Sequence, residues 1–449
     1  METKNYFEIL QHLVEVRNYS QLRETLSEMQ YVDVALVIGQ MEKEDALCLF
    51  RLLPKDMAAD VFANLDSDDQ RIIIESLNDP EASNIINNLY VDDAIDFLEE
   101  MPANVAKKML AIANQETRSQ INHLLQYPED SAGSVMTVEY IDLKQDMTIA
   151  QAIEKIRRIG LDSETVNICY VLDSKRVLVG TVALRYLLLL DSDAVIGEVM
   201  NDNVISINTL DDQEVAAKTL KKYDFTAMPV VDAENRMVGI ITIDDVVDIL
   251  EEEATEDIEK MAAIIPNDRP YLKTGIFETY KKRMPWLLFL MISATFTGAI
   301  ISSFENALSK CVLLTAYIPM LMDTGGNAGS QSSVSIIRGL SLDEIQFKDL
   351  FKSLWKELRV AILCGITLSG ANFVKLLLID HLSIQIALVV SLTLIVVVVF
   401  SKIVGCFLPM VSVKVGLDPA VMASPMITTI VDVISLITYF EIASVLLHL

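Results

Sequence analysis

Apolar residues recur every twelve positions through the first part of the chain. Met29, Met41, Leu53, Leu65, Leu77, Leu89 and Met101 form one series, which resumes at Leu125. Three residues earlier in each unit runs a second series: Leu26, Ile38, Phe50, Phe62, Ile74, Ile86, Leu98 and Leu110. Pro54, Asp66, Asn78, Pro80 and Pro102 punctuate the joins. Helices of about two turns, each ended by a turn, fit this spacing and the helix-breaking chemistry of those residues. One such unit cannot bury its own apolar face, so the units must stack. Residues 1–133 are therefore predicted to form an all-α superhelical solenoid. A solenoid of this kind is a docking scaffold, and nothing in it points to catalysis.

From residue 134 the pattern changes to strands alternating with helices, and it occurs twice. Ser134-Val135-Met136 is echoed by Glu198-Val199-Met200. A short apolar strand follows each (140–141; 204–207), then an amphipathic helix starting near Thr148 or Asp212. Paired strands come next, at 169–173 with 177–180, then at 228–232 with 238–241. The reading is a tandem α/β pair, with units at 134–198 and 199–250. Beyond it, 251–283 forms a connecting segment, whose acidic helix begins already at Asp244 and runs to Glu259. Asp244, Asp245, Asp248, Glu252, Glu256 and Glu259 recur at helical spacings, so one face is densely negative. Like charges at i,i+4 destabilise a free helix. A solvated surface helix tolerates this; a bound divalent cation, which prefers carboxylates and water, relieves it directly.

Almost every long apolar run lies after Arg283. Five segments reach the roughly 20 residues needed to span a bilayer, near 286–304, 312–338, 360–379, 384–410 and 420–446, making 284–449 a five-helix membrane domain. Lys281-Lys282-Arg283 precedes the first. Lys348, Lys352, Lys356 and Arg359 lie between the second and third, and Lys414 lies between the fourth and fifth. By the positive-inside rule the N-terminus is cytosolic and the C-terminus outside. Residues 342–359 read as an amphipathic cytosolic helix rather than a sixth span.

Charge divides at the same place. Of 63 acidic and 36 basic residues, 11 and 12 lie from Ile276 onward, leaving 52 acidic and 24 basic before it. So negative a region either stays solvated or recruits cations, and it repels nucleic acid. The five cysteines (Cys48, Cys169, Cys311, Cys364, Cys406) have no paired spacing and the four histidines are scattered, which supports neither a disulfide framework nor a zinc site. The opening METKNYFEIL has no apolar signal core, so the N-terminal part is expected to stay in the cytosol.

Within the membrane region two segments carry polar chemistry. In the second span, Asp323, Asn327 and Gln331 follow i, i+4, i+8 and share a face, while Gly325 and Gly329 form a GxxxG pair that lets another helix approach. The fifth span opens with Asp418-Pro419, a favoured N-cap followed by proline at the first helical position. Further in, Pro425, Thr428 and Asp432 align on one face. An ionised carboxylate at membrane depth faces a water-filled path or a partner. For Asp432 the competing structural reading is an ion pair with Lys375 or Lys402 of other spans.

The duplicated units resemble tandem CBS domains, which pair into a disc and often bind adenine nucleotides in the cleft. The second unit keeps the GxxTxxD pattern as Gly239, Thr242 and Asp245; the resemblance implies that Thr242 and Asp245 contact a ribose. The first unit departs from it with Ala183 and Tyr186. The order of domains, with the PMLMDTGGNAGSQ and DPAVMASPMITTIVDVIS segments, resembles the MgtE family of magnesium channels over nearly the whole chain. That resemblance implies a homodimer with a central pore for Mg2+, gated by intracellular Mg2+, and possible regulation by ATP or another adenine nucleotide. It carries the pore-centre carboxylate onto Asp432 and the polar lining onto Asn327; with Thr428 and Asp418 these make the candidate pore set. Ser330 and Ser424 stand where relatives can carry asparagine. Regulatory magnesium contacts are implied at Asp92 and Asp96 in the solenoid, with Asp93 able to substitute for Asp92. They are implied also at Asp212 and Asp224 in the second unit, and at Asp245, Asp248, Glu253, Glu256 and Asp257 on the acidic helix. Rival readings are a carrier of another divalent cation, a cation sensor that does not conduct, and an intramembrane aspartyl enzyme built on Asp323 and Asp432.

Overall fold

Ten short helices, from α1 (Glu2–Glu15) to α10 (Gln115–Leu124), open the computed structural model, which describes residues 2–267, 271–272, 274–422 and 424–448. Pro54 and Pro102 stand at helix N-caps, where their missing amide hydrogen costs nothing. Asn78 closes a capping box with Glu81. Both twelve-residue series turn inward. Leu26, Ile38, Phe50, Phe62, Ile74, Ile86 and Leu98 are all buried, as are Met29, Leu53, Leu65, Leu77, Leu89 and Met101. Met41 and Leu110 are only half-buried, and Leu125 reaches the surface where the repeat ends.

The duplication is visible in the sheets. β1 (Asp142–Lys144) pairs parallel with β2 (Ile168–Leu172), which pairs antiparallel with β3 (Leu178–Ala183). Helix α11 (Ile149–Ile159) connects the first two strands, with Thr148 in a capping box with Gln151. Helices α12 (Leu184–Leu189) and α13 (Ile196–Val199) close the first unit. The second unit repeats the plan with β4 (Ile207–Asn208), α14 (Gln213–Tyr223), β5 (Ala227–Val231) and β6 (Met237–Thr242). Even the register irregularity recurs, after Val171 and after Val230. The first strand of each unit begins later than predicted. Tyr140 instead packs edge-on against Tyr170, and the ladder starts from the Ile141 carbonyl, which accepts from the Tyr170 amide. Tyr170, Leu172 and Leu178 share one apolar cluster with Ala227, Val231, Met237 and Ile240, joining the two units. The solenoid core in turn continues into Ala216, Leu220, Met228 and Ile241 of the second unit.

α15 (Ile243–Met261) is one unbroken helix, so the boundary predicted at residue 250 falls inside an element. Residues 1–250 and 251–449 form separate compact units. In the second unit follow α16 (Ile276–Ser303), the short α17 (Glu305–Lys310), a 3-10 turn (Val312–Tyr317), α18 (Ile318–Ser341), α19 (Leu350–Leu378), α20 (Ile384–Val415) and α21 (Ser424–Leu447). Among the described residues four helices are long and apolar enough to cross a membrane: Ile276–Ser303, Phe347–Leu378, Ile384–Val415 and Pro425–Leu447. α18, predicted as the second of five spans, is long enough, but its glycine, serine and asparagine content makes it too polar to qualify on composition. The separate helix predicted for 342–359 is not formed. Nothing between Leu350 and Cys364 breaks a helix, and its lysines, arginine and glutamate are good helix formers, so α19 runs through.

α18 packs against α20 and α21 by way of its glycines. A Cβ on Gly325 would lie 2.7 Å from Val397 Cγ1, and one on Gly329 would lie 2.7 Å from Ile427 Cγ2. Gly405 of α20 meets the Gly329 backbone directly. The GxxxG pair thus serves contacts on two sides.

Candidate functional site

The first unit gathers several carboxylates around Asp245. Asp92 and Asp93 begin α8 (Val91–Glu100). Burial, then repulsion from Asp245 and Asp93, drives the Asp92 carboxyl well above its ordinary range. Burial, then repulsion from Asp245, Asp60, Asp244 and Glu139, pushes Asp93 up to about 6. Glu164 rises to about 7, through burial and then repulsion from Asp244, Asp245 and Asp93. Burial also raises Asp245, against hydrogen bonds from the Thr242 hydroxyl (2.6 Å) and amide (3.1 Å). The neighbouring Tyr90 phenol is pushed up to about 12, first by burial. Glu139 is fixed by the Thr137 hydroxyl at 2.5 Å, and its carbonyl accepts from the Glu164 amide at 2.8 Å. Asp245 thus repels both Asp92 and Asp93. Asp60, Glu139 and Glu164 were missed; the two glutamates lie in irregular segments where no periodicity marks them. Among the described residues no three acidic, histidine or cysteine side chains converge closely enough to hold a bare metal ion.

Of the other regulatory candidates, Asp248 adds repulsion at Asp245. Asp96 and Asp248 are exposed on their helices. Asp212 caps α14 by accepting from the Glu214 amide at 2.8 Å, and Asp224 ends that helix in the left-handed conformation, φ 53°. In the second unit, Glu253 is half-buried. Glu256 accepts from Lys260 at 2.6 Å, and the same ammonium reaches Asp418 Oδ2 at 2.7 Å. Burial opposes the Lys260 charge, but these two partners hold its pKa above the ordinary lysine value. The Ser341 hydroxyl donates to Asp257 at 3.3 Å. Asp418 also caps the 3-10 turn Ala420–Met422, its Oδ1 accepting from the Ala420 amide at 2.7 Å; it does not cap the long helix, which begins at Ser424.

The α/β pair contains a cavity of about 860 Å³, lined among others by Arg185, Tyr186, Asn201, Asp224 and Phe225. The Arg185 guanidinium lies 5.2 Å from the Tyr186 ring centre. Thr242 and Asp245, the expected ribose contacts, do not line it. They are bonded to one another, and Asp245 faces the acidic nest.

In the membrane-type bundle, Asp323, Asn327 and Gln331 are exposed along α18, and Asn327 Nδ2 donates to Asp323 Oδ2 at 3.2 Å. Thr428 packs on Gly326. Asp432, four residues on, is half-buried. Among the described residues no basic group lies within ion-pair distance of it. Lys375 is bound to Asp380 at 2.6 Å, and buried Lys402 to Glu357 at 4.0 Å. A cavity of about 750 Å³ is lined by Asn327, Ser330 and Gln331 together with Glu357 and Lys402. The side chain of Ser424 lies outside the described residues.

Residues 318–442 match the family model of a divalent cation transporter, so the polar face and the unpaired carboxylate belong to a membrane transporter of cations. Residues 29–130 match the MgtE intracellular N domain, and 196–252 a CBS domain. The chain is similar to the magnesium transporter MgtE of Thermus thermophilus, 35% identical over 98% of each chain. It is 30% identical to that of Bacillus subtilis, over 95% of this chain and 94% of the relative. The crystal structure of the cytosolic domain of the Mg2+ channel MgtE in complex with ATP superposes with TM-score 0.52 at 34% identity, covering 54% of this chain and 98% of that one. The chain belongs to the MgtE family of magnesium transporters.

Proposed function

We propose that the protein is a magnesium channel of the cell membrane, importing Mg2+ and closing when intracellular Mg2+ binds its acidic cytosolic part. It has five spans, α18 among them, with the N-terminus cytosolic and the C-terminus outside, and it works as a homodimer. The observation that carries the reading is Asp432, half-buried on an apolar helix while both lysines that could neutralise it are held elsewhere. A carboxylate at that depth is retained for an ion path. Mg2+ gives up its water reluctantly, so a pair of Asp432 side chains across a dimer axis attracts the hydrated dication, while Asn327 and Thr428 offer polar contacts to its water shell. A polar face on α18 is likewise intelligible if water or a second copy, rather than lipid, lies against it.

The acidic nest supports closure by Mg2+. Burial first, and then repulsion in which Asp245 has a part, raises the proton affinity of Asp92, Asp93 and Glu164. A dication held there, partly through its own water, removes that repulsion and favours the packing that creates the nest. Glu256 and Asp418 are already served by Lys260, so they contribute less. An adenine nucleotide, as in the ATP complex of the relative, is best placed in the Arg185 cavity, because the nest around Asp245 repels a polyanion. Arg185→Ala should weaken ATP binding about tenfold in calorimetry, the size of one charge-assisted contact; Thr242→Val should leave it unchanged.

The deciding experiment is Mg2+ flux into liposomes holding the purified protein, with internal and external Mg2+ varied separately and no other gradient. Flux that requires a proton or sodium gradient would indicate a carrier. Absence of flux under every gradient would indicate a sensor.

A further inference from the structure

α20 is apolar along nearly its whole length, yet it carries Lys402 in its interior, with only 5% of the residue exposed. A lysine at membrane depth is costly and is kept only with a partner and a purpose. Its partner, Glu357, comes from α19 and lies 4.0 Å away, at the outer limit of an ion pair. Ser332 of α18 stands between them: it accepts from Lys402 Nζ at 3.4 Å and donates to Glu357 Oε2 at 2.5 Å. Three helices therefore meet at one charged relay. The pair is not sealed in the core, because both side chains line the cavity that also holds Asn327, Ser330 and Gln331.

That cavity has a property its neutral oxygens alone would not give. Without Lys402, the carboxylate of Glu357 beside the oxygens of Asn327, Ser330 and Gln331 would be an all-oxygen pocket of the kind divalent cations occupy. With Lys402, positive and negative charge balance among its charged lining residues. We infer that Lys402 is a specificity-determining residue, a tethered counter-cation that keeps Glu357 from trapping divalent ions beside Asn327 and so sets the concentration at which magnesium saturates the path. The inference rests on the conduction reading. A channel must hold its ion weakly enough to release it, and the ammonium shifts this part of the route toward release.

The role predicts shifts of opposite sign, which a purely structural ion pair does not. Measured as Mg2+ flux in liposomes, Lys402→Gln should lower the half-saturating Mg2+ concentration about tenfold and make flux sensitive to block by Ca2+ or Mn2+. Glu357→Gln, which leaves the ammonium alone, should raise that concentration about tenfold; each figure is the size of one ionic interaction near water. The double variant K402Q/E357Q should return it to within about twofold of wild type, with folding of every variant checked by gel filtration. If Lys402→Gln does not accumulate, Glu357→Gln against the double variant still decides the matter. Half-saturation unchanged in Glu357→Gln, or moved the same way in both single variants, overturns the inference while wild-type flux stands. Wild-type protein that carries no Mg2+ overturns the conduction reading and this inference together.

Discussion

The two units of the chain treat their carboxylates in contrasting ways. In the first, Asp245 repels Asp92, Asp93 and Glu164, and among the described residues no ion pair with a lysine or arginine is formed by any of the four. In the second, Glu357 has Lys402, Asp380 has Lys375 and Asp418 has Lys260. Asp432 breaks the pattern of its own unit, since among the described residues no basic group lies within ion-pair distance of it. Where the chain supplies an ammonium group, the carboxylate is spoken for; where it supplies none, the charge is left for something that arrives from solution. By that criterion the nest and Asp432 stand out among the described residues.

The largest effect should come from the carboxylate that stands alone. Asp432→Asn should reduce Mg2+ flux at least 100-fold, in keeping with an intramembrane charge on an ion path, while the protein stays folded in detergent. Near-normal, magnesium-selective flux through that variant would end the contrast drawn between Asp432 and its lysine-paired neighbours.

A smaller effect is expected from the nest. The triple substitution D92N/D93N/D245N should raise the internal Mg2+ needed for half-closure about tenfold, because it removes part of the binding energy that favours the closed state. Open-state flux should not change. If closure occurs at the same Mg2+ concentration, crowding of carboxylates in this unit has no regulatory meaning.

The smallest effect concerns protons. Asp93 at about 6 and Glu164 at about 7 lie above the carboxyl values of an unfolded chain, near 4, so the folded unit binds protons more tightly. The stability that these two groups contribute is therefore fully present below about pH 4 and is lost as pH rises through 6 to 7. Added Mg2+ competes with those protons. It should raise the first melting transition by about 5 °C more at pH 8 than at pH 5, the scale of one to two kcal/mol in a unit of this length. An equal gain at both pH values would mean that the ion binds elsewhere.

Much of this architecture was legible in the sequence. The twelve-residue series located one buried stripe of the solenoid, while Leu49, Val61, Ile73, Ile85 and Ile95 fill the same core from positions outside it. The duplication was readable because both units need the same strand, helix and hairpin. The span ends were harder. A helix in lipid and its cytosolic extension have the same hydrogen bonding, so no backbone signal separated 342–359 from the apolar stretch after it, and α19 proved continuous. The acidic nest was half visible: Asp92 and Asp245 stand in periodic helices, whereas Glu139 and Glu164 are delivered by loops whose course depends on tertiary packing. The Lys402–Glu357 pair was the least legible. The sequence offered Lys402 as a partner for Asp432, and only the side-to-side order of α18, α19 and α20 assigns it to Glu357 instead.

The glycine contacts of α18 bear on how such a bundle could change shape. Gly329 lies backbone to backbone on Gly405, while Gly325 and Gly329 admit Val397, Val431 and Ile427 with no room for a methyl group. Close-packed surfaces of this kind do not slide by small amounts, because every intermediate position is a collision. α18, α20 and α21 therefore travel as a single rigid piece, and a passage that opens and shuts must do so at the margins of that piece rather than by bending within it.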